Sequence, residues 1–532
     1  MDKRLIYAIV LSMGVMLGYP YVLNWINPPK PKTETAATEK KTEAVPSEIA
    51  PGTIAPSVQA EPKAAPEKPV KETLTTVETP LIKAAFSSVG GGLKRWELKK
   101  YEASIKDRSR GVNLAESVAR MGSLSTFIRP AGGAAENVVL EAASTGVVVE
   151  PQGAGVLAYS GSAKGLRVDK KYKFTGESYL VDTEITVTNT TGAPFQGSLE
   201  TVLAANVAGK DASGYHTGPL VSTTKGKLLR QAADEAQKTG AEPPRWIGLE
   251  SKYFLSAIIP SSESALNWLT EVSSSASSKA TLSAQISLAP GETKTVAFKT
   301  FIGPKEYDLL LSYKAGLEEA IEFGWFAVIA KPFLVVLNFL ERYVGNYGIA
   351  IIILTFMTKV VFYPLTKHSL KSMKELQNIQ PQLAAIKEKY KDNKEKLNKE
   401  LMELYKRYKV NPVGGCLPMI LQIPVFIGLY EVLYVAIELR HAPFFFWITD
   451  LSDKDPYYIS PIIMGATMFL QQKMTPTTVD PAQAKIMLIM PVVFTFMFLS
   501  FPSGLVIYWL VNNVLSIAQQ YYIQRTPAKA KA

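Results

Sequence analysis

Cysteine is almost absent from these 532 residues: Cys416 stands alone. A single cysteine forms no disulfide within the chain and no thiolate metal cluster, so neither device organises the fold. The chain also lacks GxxxxGK[ST], HExxH and GxSxG. The usual signatures of phosphate loops, zinc peptidases and serine hydrolases are therefore missing. Residues 28–325 have no long apolar run, whereas 326–523 have several. Acid is in short supply, 47 Asp+Glu against 58 Lys+Arg. Between Lys367 and Lys409, twelve Lys/Arg face six acids, squeezed between two apolar runs. Basic loops beside membrane spans follow the positive-inside rule, so the surplus is topological rather than a nucleic-acid footprint.

What is present begins with Leu5 to Ile26, 22 uncharged and mostly apolar residues behind Met1-Asp-Lys-Arg4. At ~1.5 Å per residue the run crosses a ~30 Å hydrocarbon core. Its exit, Leu23-Asn-Trp-Ile-Asn-Pro-Pro29, has no small-residue cleavage site and carries Trp25 at the interface. Residues 1–27 read as an uncleaved signal anchor with its N-terminus inside. Residues 28–80, rich in Pro, Ala, Glu, Lys and Thr, read as a disordered tether.

Over 81–305 the pattern is that of strands. Tyr179 to Thr188 alternates and is β-branched, with a turn at Asn189-Thr-Thr-Gly192; Trp246 to Ile259 and Thr293 to Ile302 read alike. Close Gly/Ser/Asn/Pro punctuation predicts an antiparallel β-sandwich, with a helical insertion near Leu228 to Lys238. Its one histidine, His216, lies in a Gly-flanked stretch and reads as a loop residue. No catalytic constellation and no metal or cofactor site is expected.

Glu318 to Arg342 mixes Trp and Phe with edge charges and suits a helix lying in the membrane interface, within a connector at 306–345. Five spans follow in 346–525, at about 346–366, 413–436, 457–474, 485–501 and 503–523. Six spans put both termini inside. The loop 367–410 and the tail 526–532 are then cytoplasmic, and the domain 81–305 lies outside. Leu376, Ile379, Leu383, Ile386, Tyr390, Leu397, Leu401, Leu404 and Tyr408 recur at helical spacing around Lys391-Asp-Asn393, predicting a helical hairpin. Its basic surplus suits anionic lipid heads or ribosomal RNA.

One cation, Lys359, lies inside the span 346–366, and a charge within a span is a functional hypothesis by default. Two readings stand: a lysine snorkelling to the cytoplasmic interface, or a cation lining a wet cavity. Gln422, Glu431, Thr467, Gln471, Thr495, Asn512, Asn513 and Ser516 add polar groups on other spans. A transporter or channel is the alternative function class, but such proteins typically carry internal repeats and none is visible.

Thr355 to Thr366, Val410 to Pro418, Glu438 to Pro443, Trp447 to Leu451, Asp455 to Ile459, Gln472 to Pro476 and Phe501 to Leu505 resemble, in order and spacing, the YidC/Oxa/Albino family of membrane protein insertases in its Gram-negative form. The resemblance is dense over 320–525 and looser elsewhere. It implies a polytopic α-helical membrane protein of six spans, with a five-span insertase core and a supersandwich-like periplasmic domain. The implied activity is ATP-independent insertion and chaperoning of inner-membrane proteins, alone or with the Sec translocon. Nascent membrane proteins, lipids and the ribosome, met by the hairpin and basic tail, are the implied partners. The implied hydrophilic groove holds Lys359, Thr355, Gln422, Tyr508 and Trp509. A substrate slide on the third and fifth spans holds Ile427, Tyr430, Glu431, Phe494 and Phe498. Lys359 departs from the family's arginine, and Glu431 from its usual apolar or aromatic residue.

Overall fold

The computed structural model describes residues 72–525 apart from 106, 116–121, 207–208, 211–213, 241, 262–265, 274–276, 392, 409–416 and 475–480. The expected anchor span, nearly all of the tether, most of the motif at 410–418 and the basic tail lie outside the described residues.

Alternation builds the β domain. Leu180–Asn189 buries Val181, Thr183, Ile185, Val187 and Asn189 on one face, and Leu166–Thr175 does the same with Leu166, Val168, Lys170, Tyr172 and Phe174. The two pair antiparallel with Tyr172 opposite Thr183. They sit inside a ten-stranded sheet whose middle also holds Pro244–Glu250, Phe254–Pro260, Thr293–Pro304 and Ala154–Ala163. A six-stranded sheet centred on Ser278–Leu288 and Phe195–Ala205 approaches it, and a five-stranded sheet begins at Leu74–Glu78. Trp96, Trp246, Phe86, Phe174 and Phe301 fill the core, each at most 2% exposed. Burying one such side chain contributes about 1.5–3 kcal/mol.

Three expectations shift. The first described strand starts at Leu74, so ordered chain begins ahead of the expected tether end at 80. The stretch Trp246 to Ile259 is two strands, Pro244–Glu250 and Phe254–Pro260, joined by a turn in which Ser251 donates to the Phe254 carbonyl. The expected helix near Leu228 to Lys238 is absent. Leu228–Arg230 and Gln237–Thr239 are short strands pairing His216–Thr223 and Leu266–Val272. Partners on two sheets override the helix propensity of a Leu/Ala/Gln/Glu-rich segment.

The helices follow: α1 (Tyr307–Ser312), α2 (Ala327–Val344), α3 (Tyr347–Asn378), α4 (Gln380–Lys389), α5 (Lys394–Tyr408), α6 (Leu417–Val435), α7 (Ile459–Met474), α8 (Pro481–Phe498) and α9 (Ser503–Arg525). The amphipathic segment thus becomes helical later than expected, because Leu317–Ala320 forms a 3₁₀ turn and Gly324 takes a left-handed φ of 59°. Gly345 (φ 65°) ends α2, and the Asn346 side chain caps α3 by accepting from the Ile349 N–H. Helix α3 runs unbroken for 32 residues. Among the described residues it alone is long and apolar enough to cross a membrane by length and composition; shorter apolar stretches run Gln422–Val435 and Met487–Phe498.

Helix α9 is the hub, in contact with α3, α6 and α7, while α8 leans on α7 and α2 lies across α3 and α6. At Gly465 a Cβ would come within 2.0 Å of Thr495 Oγ1, so glycine is what lets α7 and α8 close. Outward, Phe356, Val360, Val361, Ile462, Leu470, Ile489, Val492 and Phe496 are exposed. A soluble protein rarely presents so continuous an apolar mantle.

The β domain is bonded to the helices at their shared end. Arg440 donates to the Glu102 carbonyl at 2.9 Å and lies over the Tyr253 and Phe254 rings. Lys252 sits 4.1 Å from the Tyr434 ring centroid. Just beyond the domain, Arg342 of α2 pairs with Asp308 of α1 at 3.2 Å. Behind this joint, Glu250 accepts from Arg230 (2.7 Å), His216 Nδ1 (2.9 Å) and Lys305 (3.0 Å), and Arg230 reaches on to the Ala320 carbonyl. Glu438 shows the opposite situation: the Tyr307 N–H approaches Oε1 at 3.4 Å, and the buried Oε2 has no hydrogen-bond partner among the described residues.

Candidate functional site

Several polar residues of the apolar helices meet α9. Lys359, on α3, donates from Nζ to Ser516 Oγ at 2.7 Å, and Ser516 in turn donates to the Asn512 carbonyl at 2.7 Å. Among the described residues Lys359 has no carboxylate partner. One turn back on the same helix, Thr355 is fully buried and spends its hydroxyl on the Ile351 carbonyl at 2.6 Å. Thr358 does likewise with the Thr355 carbonyl. On the other flank of α9, Asn513 donates to Thr467 Oγ1 at 3.3 Å and Gln520 to the Met474 carbonyl at 2.7 Å. Gln422, on α6, stands beside the buried Tyr508 side chain of α9. Lys359, Thr355, Gln422 and Tyr508, four of the five expected groove residues, therefore lie in the α3–α6–α9 region. The fifth, Trp509, belongs to a second cluster.

That cluster is aromatic. Trp509 meets Phe426 edge-on at 4.7 Å, Phe498 at 5.2 Å and Phe494 at 6.2 Å with nearly parallel rings. Tyr430 extends the cluster through Phe426 and Phe501, and Phe501 closes on Phe498 at 4.9 Å. Offset and edge-on pairs of this kind add about 0.5–1.5 kcal/mol each beyond burial. Tyr430, Phe494 and Phe498 are thus brought together across α6 and α8, but unequally: Phe498 is fully buried, while Tyr430 and Phe494 are half-buried. Ile427 is half-buried one turn before Glu431. Glu431 turns elsewhere. Its Oε1 lies 2.9 Å from where a Cβ on Gly324 would stand, and the neighbouring Gly428 faces Ile329 of α2. Hence Glu431 belongs to the contact with the segment leading into α2. Phe426 was not among the expected residues, although its position four before Tyr430 on one helix face was a usable signal.

The end of the bundle nearest the β domain is closed by the loop between α6 and α7. Asp455, buried, accepts from the Ser460 N–H and hydroxyl and the Tyr457 N–H, capping α7. Asp450 accepts from His441 N–H and from Ser452, and Ser503 donates to the Asp453 carbonyl. The loop's aspartates are consumed internally, which pins the α8–α9 reversal beneath it.

An apolar-mantled helical bundle with polar residues in its interior, carrying a large β domain at one end, defines the class of integral membrane proteins. The comparisons make this specific. The family model described as 60Kd inner membrane protein matches residues 339–530, and that of the YidC periplasmic domain matches residues 74–336. The membrane protein insertase YidC of Citrifermentans bemidjiense is 43% identical over 541 residues, covering 99% of this chain and 100% of its own length. Those of Syntrophus aciditrophicus and Geobacter sulfurreducens are 44% and 43% identical, over 99% and 100% of this chain and all of their own. The chain belongs to the YidC family of membrane protein insertases. It is an insertase and not an enzyme, its substrates are nascent membrane proteins, and its β domain is periplasmic.

Proposed function

We propose that insertion runs through a hydrophilic groove between α3, α6 and α9, with Lys359 as its cation and Thr355, Gln422, Tyr508 and Trp509 along its walls. The observation that carries this reading is the Lys359–Ser516 bond. It directs the amine inward to a neighbouring helix, whereas a snorkelling lysine extends along its own helix toward water. The polar tail of a nascent chain enters the groove. There, hydration and the cation lower a cost that reaches ~2.5–3.5 kcal/mol per charged residue at a span's centre. The apolar segment slides along Ile427, Tyr430 and Phe494, backed by Phe498, and partitions into lipid, which supplies the driving free energy. Glu431, turned toward Gly324, contributes to the slide only through its place on α6.

The reading extends to the whole chain. Six spans, counting residues 1–27 and the five helices α3 and α6–α9, place both termini in the cytoplasm and the supersandwich-like domain in the periplasm of a bacterial inner membrane. The hairpin α4–α5 and the tail 526–532 meet the ribosome, and the protein acts as insertase and chaperone alone or beside the Sec translocon. Photo-crosslinkers placed one at a time test the path. A stalled nascent chain is expected to crosslink from positions 355 and 422 through its tail and from 430 and 494 through its apolar segment. Crosslinks confined to mantle positions such as 361 and 496 would overturn the path.

A further inference from the structure

We infer that Ser516 is a positioning residue for insertion: by holding the Lys359 ammonium against α9 it keeps the cation in the bundle's interior. This rests on the reading of Lys359 as the groove cation. The geometry has a fixed polarity. Ser516 gives its only proton to the Asn512 carbonyl, so its lone pairs are left to accept from Lys359. An ammonium carries three N–H donors, and this bond uses one. With no carboxylate partner among the described residues, the charge is anchored without being neutralised. Two donors remain for a polar or anionic group of the cargo or for water. A carboxylate at 516 would hold the amine as firmly but cancel the charge the cargo meets; an alanine would release the four-carbon stem to swing toward the cytoplasmic side, where Lys367 stands two turns further along α3. Serine is one of the few residues that both tethers the lysine and leaves its charge whole.

The experiment measures insertion of a substrate with an acidic translocated tail, and of the same substrate with that tail neutralised, using the full chain in proteoliposomes. The variants are Ser516→Ala, Ser516→Thr, Lys359→Ala and the double variant Lys359→Ala/Ser516→Ala, at equal amounts in the membrane. Loss of a hydrogen bond to a charged group predicts a roughly tenfold loss for Ser516→Ala on the acidic tail. Ser516→Thr is expected to keep activity, the neutral tail to be unaffected, and the double variant to be no worse than Lys359→Ala. If Lys359→Ala fails while Ser516→Ala works normally, the cation acts without its serine and this inference falls, with the groove reading intact. If Ser516→Ala impairs both tails equally, or adds to Lys359→Ala, the serine is only packing and the inference falls. Normal insertion by Lys359→Ala would remove the groove reading and the inference with it.

Discussion

Two buried carboxylates in the periplasmic joint titrate in opposite senses because of what surrounds them. Burial pushes Glu250 up, but Lys305, His216 and Arg230 more than offset this and hold it at about 2, below its usual 4.5. Its contribution is therefore fully present above about pH 4.5 and is lost as pH falls toward 2. For Glu438, burial dominates, and Glu306 and Asp308 add repulsion, raising the carboxyl to about 7. A raised acid favours the folded state only while protonated, so the joint weakens as pH rises from about 4.5 through 7. Thermal unfolding of the purified chain from pH 5 to pH 8 is expected to show a falling midpoint, which Glu438→Gln flattens; an unchanged slope in that variant would assign the dependence elsewhere. Glu250→Gln, by contrast, leaves Lys305 buried and unpaired, and is expected to destabilise the domain by about 3–5 kcal/mol. None of this pairing was visible in the sequence. His216 and Glu250 are 34 residues apart, and only the sheet brings the β domain's one histidine, read as a loop residue, onto an acid.

At the scale of elements, periodicity did most of the work where each segment's own pattern decides. The alternation from Tyr179 to Thr188 became the strand Leu180–Asn189, and the steps of three and four from Leu376 to Tyr408 became the end of α3 with α4 and α5. Where partners decide, it failed: Leu228 to Lys238 has a helix's composition and a sheet edge's structure. The hairpin gains a concrete core from Leu376, Ile379, Leu383 and Leu404, with Ile386, Leu401 and Tyr405 against it. That cluster is small and separate from the main core, so one break opens it. Leu383→Pro is expected to reduce insertion while the spans stay folded. Neutralising Lys387, Lys389, Lys394 and Lys399 together is expected to weaken co-sedimentation with ribosomes carrying a membrane-protein nascent chain. The deficit should vanish at high salt, since exposed charges act within ~8 Å at physiological ionic strength. Unchanged binding and insertion in both variants would leave the hairpin a solvated connector.

For the whole molecule, the sequence showed which residues of the bundle are out of place in lipid, but not which of them touch. Lys359 and Ser516 lie 157 positions apart, and Glu431, a slide candidate by position, turns to Gly324 because α6 shows one face to α2 and another to the aromatic cluster. The periplasmic domain is tied to the bundle by Arg440 and Lys252, yet no groove or slide residue sits in it. Removing Leu74–Pro304 while keeping α1, the 3₁₀ turn and α2 is expected to leave insertion working with a lower unfolding midpoint; complete loss of insertion by a stable deletion would contradict this. The central claim concerns charge at one point in the bundle. It is tested most directly by inserting a substrate with an acidic translocated tail through Lys359→Arg, Lys359→Ala and Lys359→Glu in parallel. The account predicts near-normal insertion with arginine, which keeps the charge while adding a fork the site does not require. It predicts a marked loss with alanine and a deeper one with glutamate, whereas full activity of the Lys359→Glu variant would contradict it.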